Sequence, residues 1–133
     1  MTNYAVEIKN VCKRFPLPTG GELEACKDIN ITLEKGQSLG IVGESGSGKT
    51  TLVRMIMKML PITEGEIYVE GVEIQHMNSE QTKEYRKKIQ MVFQDPSTAF
   101  NPKMKVKDII CEPLLNFGLI KKGEKEEVAK KYL

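Results

Sequence analysis

Alternating polar and apolar positions near the start of the chain predict β-strands. Residues 4–8 alternate in this way, with Val6 and Ile8 on one face, and residues 29–33 repeat the pattern. Prolines and glycines between positions 16 and 21 predict a loop. This part of the chain is therefore expected to contribute two short strands.

A continuous apolar run and an amphipathic segment follow. Residues 38–42, Ser-Leu-Gly-Ile-Val, are typical of a strand that is buried on both faces. From Leu52 to Leu60 the apolar residues recur at helical spacing, and Pro61 ends the segment. The chain thus predicts a buried strand, a connecting segment at 43–51 and a helix.

Three further elements are predicted in the second half of the chain. Residues 66–75 flank Gly71 as the two arms of a hairpin would. A polar helix is expected to begin at Ser79, and residues 89–93 predict another strand. Beyond Lys103 the charges mix as on a solvated helix face, with favourable pairs four residues apart, so helices are expected there.

The connecting segment carries the candidate chemistry. Gly43-x4-Gly48-Lys49-Thr50 is the Walker A pattern, placed after a predicted strand and before a predicted helix. Glycines allow backbone N–H groups to wrap around phosphates, and the start of a helix adds unpaired donors and a positive dipole end. Lys49 would supply a charge for the β- and γ-phosphates, and the Thr50 hydroxyl an oxygen ligand for Mg²⁺. The alternative interpretation is a flexible glycine-serine turn.

Length and charge restrict the remaining possibilities. The chain has 133 residues and a net charge of +2, which fits one globular unit and does not favour a nucleic-acid partner. No apolar run approaches the length needed to span a bilayer, and no signal peptide is expected. The odd number of spaced cysteines (Cys12, Cys26 and Cys111) predicts free, buried or half-buried thiols, and His76 is expected at the surface.

With its flanking segments, the motif resembles the nucleotide-binding subunits of ABC transporters. Residues 43–52, Gly-Glu-Ser-Gly-Ser-Gly-Lys-Thr-Thr-Leu, are similar to that family's Walker A, and residues 91–96, Met-Val-Phe-Gln-Asp-Pro, to its Q-loop. Residues 97–106 and 109–114 are similar to the oligopeptide and dipeptide importer branch in particular. The resemblance implies an α/β fold of the P-loop NTPase class, with an antiparallel accessory hairpin and the beginning of a helical arm at about 103–133.

The resemblance assigns a role to each residue that matches a family motif. It implies that Phe15 stacks on adenine, and the alternative is a core anchor beside Pro16. It implies that Gln94 reaches Mg²⁺ and the attacking water and couples to the membrane subunit, and the alternative is a plain polar residue at a strand end. The residues that would hold the nucleotide are Gly43, Glu44, Ser45, Gly46, Ser47, Gly48, Lys49, Thr50 and Thr51.

The resemblance also implies partners and a limit on activity. The expected protein uses ATP and Mg²⁺ at the cytoplasmic face of the cell membrane, as the ATPase subunit of a peptide importer with a permease and a second nucleotide-binding subunit. Residues 96–113 would receive the permease. The family's signature loop, Walker B strand and switch histidine do not occur in residues 1–133, so this amino-terminal part of one domain is expected to bind ATP without hydrolysing it.

Two other interpretations compete with this one. A small P-loop kinase or GTPase-like enzyme would use residues 89–95 as its own Walker B strand, with Asp95 holding Mg²⁺. A non-catalytic remnant would dock onto a membrane subunit without turnover.

Overall fold

The computed structural model describes residues 3–133, without the side chains of Pro96 and Thr98. The chain divides into two compact units, one ending at Arg86 and the other running from Lys87 to Leu133. None of the helices in the described residues has the length and apolar character needed to cross a membrane.

The first unit is built on an antiparallel sheet. Its spatial order is β2-β1-β3-β4. The strands are β1 (Tyr4–Pro16), β2 (Glu22–Glu34), β3 (Glu64–Val69) and β4 (Val72–Glu73). The two short strands and the hairpin around Gly71 are confirmed, but β1 and β2 extend much further than their alternation predicts.

Irregular register explains why alternation marks only part of β1 and β2. The pairing between these strands shifts at several points between Ile8 and Arg14. Asn10 and Asp28 adopt positive φ angles of 49° and 44° there, a conformation that asparagine and aspartate tolerate better than most residues. Their side chains hydrogen-bond each other at 2.9 Å, which fixes the irregular segment.

Helix α1 (Lys49–Ile56) follows the motif, as predicted, but is shorter than expected. The N–H groups of Lys58 and Met59 bond back to the carbonyls of Met55 and Arg54, and Lys58 has a φ of 52°. This is a Schellman ending with lysine at the position that usually holds glycine. The expectation of a helix through Leu60 is therefore wrong.

Helix α2 (Ser79–Lys88) begins at the predicted residue. Its Tyr85 is buried and donates a hydrogen bond of 2.5 Å to the carbonyl of Ile56, at the end of α1. Burial raises the pKa of the Tyr85 hydroxyl to about 12. Tyr85 therefore anchors α2 to one of the carbonyls that α1 leaves unpaired at its carboxyl end.

The structure corrects the prediction of two apolar strands. Residues 38–42 and 89–93 are not strands, and Val42 and Val92 are 97% and 96% exposed. A continuous apolar run forms a buried strand only when neighbouring strands pair with it and cover its faces. The sheet formed by the described residues includes neither segment.

The core of the first unit joins the sheet to α1. Ile8, Val11 and Ile67 of the sheet are buried, as are Leu52 and Met55 of α1. The side chains of Leu52 and Met55 occupy one face of the helix, as its apolar spacing predicts. This packing holds the beginning of α1 against β2.

The second unit is helical, as expected after Lys103. It contains α3 (Pro96–Ala99), α4 (Val106–Asn116) and α5 (Lys125–Tyr132), with a 3₁₀ turn at Lys122–Glu124. Cys111 of α4 is fully buried and its Sγ donates to the carbonyl of Lys125 at 3.3 Å. The Lys125 ammonium lies 2.8 Å from Asp108, and this hydrogen bond lowers the pKa of that carboxyl.

Candidate phosphate-binding loop

The Walker A segment forms a loop that leads directly into α1. Gly48 is the N-cap of α1 with a φ of 90°, and no side chain caps this end of the helix. Within the described residues, the backbone N–H groups of Lys49, Thr50 and Thr51 have no hydrogen-bond acceptor, and no acidic residue occupies the first turn. The beginning of α1 thus presents free donors and a positive dipole end, the arrangement that binds anions.

Two glycines of the loop lie close to neighbouring atoms. A Cβ atom on Gly48 would lie 2.3 Å from the carbonyl oxygen of Ala25, and its positive φ adds strain for any other residue. A Cβ on Gly43 would lie 2.7 Å from Oγ of Ser47. The loop therefore requires glycine at position 48 for reasons of space, whereas at position 43 the Ser47 hydroxyl could move away.

The Lys49 side chain folds back over the loop. Its ammonium donates to the carbonyls of Gly43 and Glu44, both at 2.6 Å, and to Oγ of Ser47 at 2.9 Å. These bonds use all three donors of an ammonium group and hold both ends of the loop around one positive charge. A turn bond from the Ser47 N–H to the Glu44 carbonyl, at 3.2 Å, closes the loop.

Strand β2 supplies a platform for the loop that the sequence did not reveal. Ala25 lies against Gly48, and Sγ of Cys26 donates to the Gly48 carbonyl at 3.8 Å. Burial, with a smaller contribution from Cys12, raises the pKa of the Cys26 thiol, which keeps it neutral. Ala25 and Cys26 precede the strand predicted at residues 29–33, so no signal in the sequence indicated this platform.

This geometry fits a phosphate chain and one magnesium ligand. The glycine cradle, the free donors of α1 and the Lys49 charge are what a polyphosphate requires. The Thr50 side chain is exposed in the first turn of α1, where its hydroxyl could serve as a single oxygen ligand. Glu44, Ser45 and Gly46 are exposed.

Phe15 lies near the end of β1, opposite Leu23 of β2. Its ring is half-buried and does not belong to the core, so the core-anchor alternative has little support. The Lys13 ammonium lies 5.0 Å from the centre of the ring. The adenine-stacking role of Phe15 remains a prediction.

Gln94 and Asp95 belong to the second unit. Gln94 lies exposed at a bend, and its predicted roles toward Mg²⁺ and water remain predictions. The Asp95 carboxylate caps α3, accepting hydrogen bonds from the N–H and Oγ of Ser97 at 3.0 and 2.6 Å. Asp95 therefore has a structural role, and it follows no strand, unlike the Walker B aspartate of the kinase interpretation.

The other singled-out residues lie where the sequence predicted. All three cysteines are free and buried, and the His76 side chain is 84% exposed, 3.3 Å from Glu73. A groove of about 460 Å³ lies between the end of α1 and the β3–β4 hairpin, lined in part by Met55 and Ile74. None of the residues that line it belongs to the Walker A loop.

Comparison with known proteins places this loop in a family. The model of the ABC transporter family matches residues 26–133, which include the loop and the whole second unit. The chain belongs to the ABC transporter family. The kinase interpretation, in which Asp95 would hold Mg²⁺, is thereby set aside.

Peptide and dipeptide transport proteins are among the relatives of this family member. The chain is 42% identical to the dipeptide transport ATP-binding protein DppF of Lactococcus lactis over 91% of its length and 40% of that protein's. It is 37% identical to the oligopeptide transport ATP-binding protein AppF of Bacillus subtilis over 96% of its length and 41% of that protein's. The chain thus spans about two fifths of the length of these relatives.

A solved structure supports the fold. The ATP-binding cassette MJ0796, determined as a dimer in a post-hydrolysis state bound to ADP and Pi, superposes with a TM-score of 0.81 at 27% identity. The superposition covers 95% of this chain and 54% of that one. The predicted α/β fold of the ABC ATPase type is confirmed.

Proposed function

We propose that the chain is the nucleotide-binding part of an ABC importer ATPase that takes up peptides or similar small solutes. The observation that carries this proposal is the loop at 43–48 with its Lys49 clamp and free α1 donors. The names of the relatives, which refer to dipeptide and oligopeptide transport, support the class of solute. We propose that the chain binds ATP and that the whole protein hydrolyses it.

Each residue has a defined task in this proposal. The backbone of 43–51 and Lys49 hold the phosphates, Thr50 coordinates Mg²⁺ and Phe15 stacks on the base. Gln94 acts as the second Mg²⁺ ligand and contacts the attacking water. A polypeptide of residues 1–133 alone is expected to bind MgATP without turnover.

The proposed assembly lies at the cytoplasmic face of the membrane. A permease is the membrane partner, contacted through residues 96–113, and a second nucleotide-binding subunit completes the ATP site. The dimeric state of the solved cassette supports the second subunit. Two copies of residues 1–133 are not expected to close on ATP, because these residues do not contain the family's signature loop.

A series of ligands with different numbers of phosphates tests the proposal. Calorimetric titration of the 133-residue chain with MgATP, MgADP and adenosine should give the tightest binding for MgATP, and adenosine should bind at least about a hundredfold more weakly. Each charge-assisted bond to a phosphate is worth about 1.5–3 kcal/mol, so a few of them produce that ratio. Equal affinity for adenosine and MgATP would contradict a phosphate site.

A further inference from the structure

Lys13 is a nearly buried cation that the sequence analysis did not single out. Its side chain is 8% exposed, among the lowest values for a charged residue in the described chain. Neighbouring residues cover the aliphatic part of the side chain, and the ammonium lies 5.0 Å from the centre of the Phe15 ring. Lysine side chains are rarely this buried unless the charge has a partner.

None of the carboxylates in the described residues forms an ion pair with Lys13. The adjacent Arg14 has two carboxylates, Glu64 at 2.7 Å and Glu24 at 3.8 Å. Lys9, on the same strand, lies 5.0 Å from the Tyr68 ring and also pairs with Glu7 at 3.3 Å. For Lys13, by contrast, residues 3–133 provide no carboxylate within ion-pair distance.

The strand register places Lys13 on the side of the sheet that carries the phosphate loop. Lys13 lies directly opposite Cys26 in the β1–β2 pair, and residues opposite each other project from the same face. The Cys26 thiol contacts the Gly48 carbonyl, so that face supports the Walker A loop. Lys13 is thus one strand away from the loop, with its ammonium directed to Phe15.

We propose that Lys13 is a further nucleotide-binding residue, whose ammonium pairs with the phosphate chain between the stacked base and the Walker A loop. This inference rests on the proposed function. When the base of a nucleotide stacks on Phe15 and its terminal phosphates occupy the loop, its ribose and α-phosphate lie beside Lys13. An anion there supplies the ion-pair partner that residues 3–133 do not provide.

Three variants and two ligands test this role. Lys13→Met keeps the length and packing of the stem but removes the charge, and Lys13→Arg keeps the charge. Lys9→Met is the matched control, because Lys9 lies on the same strand as Lys13 and its ammonium is also 5.0 Å from the centre of an aromatic ring. Affinities for MgATP and adenosine are measured by calorimetric titration, and thermal unfolding confirms that each variant is folded.

The expected result is a selective loss of phosphate affinity. Lys13→Met should weaken MgATP about tenfold, the usual effect of one charge-assisted hydrogen bond, and leave adenosine affinity unchanged. Lys13→Arg should restore MgATP affinity to within about threefold of the parent, and Lys9→Met should match the parent. Raising the salt concentration should weaken MgATP binding less in Lys13→Met than in the parent.

Other outcomes overturn the inference in recognisable ways. Parent-like MgATP affinity in Lys13→Met would remove Lys13 from the site while leaving the proposed function intact. An equal loss for adenosine and MgATP would show that Lys13 only orients Phe15, and failure of Lys13→Arg to restore affinity would show a packing role. A parent chain that binds no MgATP would overturn the proposed function and this inference together.

Discussion

At the scale of single residues, contact distances explain the Walker A pattern better than flexibility does. Gly48 is required because the carbonyl of Ala25 occupies the space of its Cβ, whereas Gly46 has a positive φ of 82° and open space around it. Lys49 is required because its ammonium joins Gly43 to Glu44 and Ser47. The same residues in a flexible turn would be subject to neither constraint.

Substitution of these glycines separates backbone strain from steric clash. Gly46→Ala is expected to cost about 1 kcal/mol in the free energy of unfolding, from its φ alone. Gly48→Ala is expected to cost about 2–4 kcal/mol and to abolish MgATP binding, since the loop must also move off Ala25. Chemical denaturation and nucleotide titration of both variants measure the difference.

Gly40→Ala is the control for this pair. Gly40 has no positive φ and no neighbouring atom within 4 Å of an added Cβ, so stability and binding should stay close to the parent. Equal stabilities for Gly46→Ala and Gly48→Ala would show that the β2 platform does not constrain the loop.

At the scale of elements, the sequence predicted structure wherever local chemistry decides it. The β3–β4 hairpin, the beginning of α2 at Ser79 and the beginning of α1 next to the Walker A lysine were all readable from turn residues, caps and spacing. The length of β1 and β2 was not, because register shifts near Asn10 interrupt their alternation. The end of α1 could not be predicted either, because its Schellman motif has Lys58 at the position where glycine usually marks the end of a helix.

Two kinds of feature could not be predicted from the sequence. Residues 38–42 and 89–93 have strand composition, but composition cannot supply the neighbouring strands that would pair with them. The contacts of Ala25, Cys26 and Lys13 around the site depend on the register between β1 and β2. A slip of one residue would move the side chains of one strand to the other face of the sheet. The motif was therefore predictable, whereas the platform beneath it was not.

The anchor between α1 and α2 predicts a dependence of stability on alkaline pH. The pKa of Tyr85 is about 12 in the folded chain and near its ordinary value of 10 when unfolded, so its contribution is complete below pH 10 and is lost as the pH rises toward 12. Tyr85→Phe should reduce stability by about 1 kcal/mol at neutral pH, because the Ile56 carbonyl loses its donor.

Chemical denaturation at pH 7, 9 and 11 checks this prediction. The difference between parent and Tyr85→Phe should shrink from pH 9 to pH 11. Tyr132→Phe, at a residue that is 64% exposed, is the control and should match the parent throughout. A constant difference between parent and Tyr85→Phe at all three pH values would show that Tyr85 is not the group that titrates.

At the scale of the whole molecule, exposed apolar segments predict self-association of the 133-residue chain. Val42 and Val92 are almost fully exposed, and Phe93 beside Val92 is 44% exposed. Unpaired apolar segments of strand composition tend to pair with other chains. Association is expected to be independent of ATP, since it arises from these segments and not from the nucleotide site.

Sedimentation velocity over a range of concentrations, with and without MgATP, tests this expectation. Val42→Asp combined with Val92→Asp should shift the chain toward monomer, whereas Val106→Asp, at an exposed valine outside both segments, should not. Dimers that form only with MgATP would contradict this account of association and the expectation that two copies cannot close on ATP.

The most direct measurement of the central claim is MgATP titration of Lys49→Ala beside the parent chain. The account holds that the Lys49 ammonium and the loop around it form the phosphate site, so the variant should bind MgATP at least about a hundredfold more weakly while adenosine affinity stays unchanged. Lys35→Ala, at an exposed lysine in the turn after β2, serves as the control. MgATP affinity in Lys49→Ala equal to that of the parent would contradict the account.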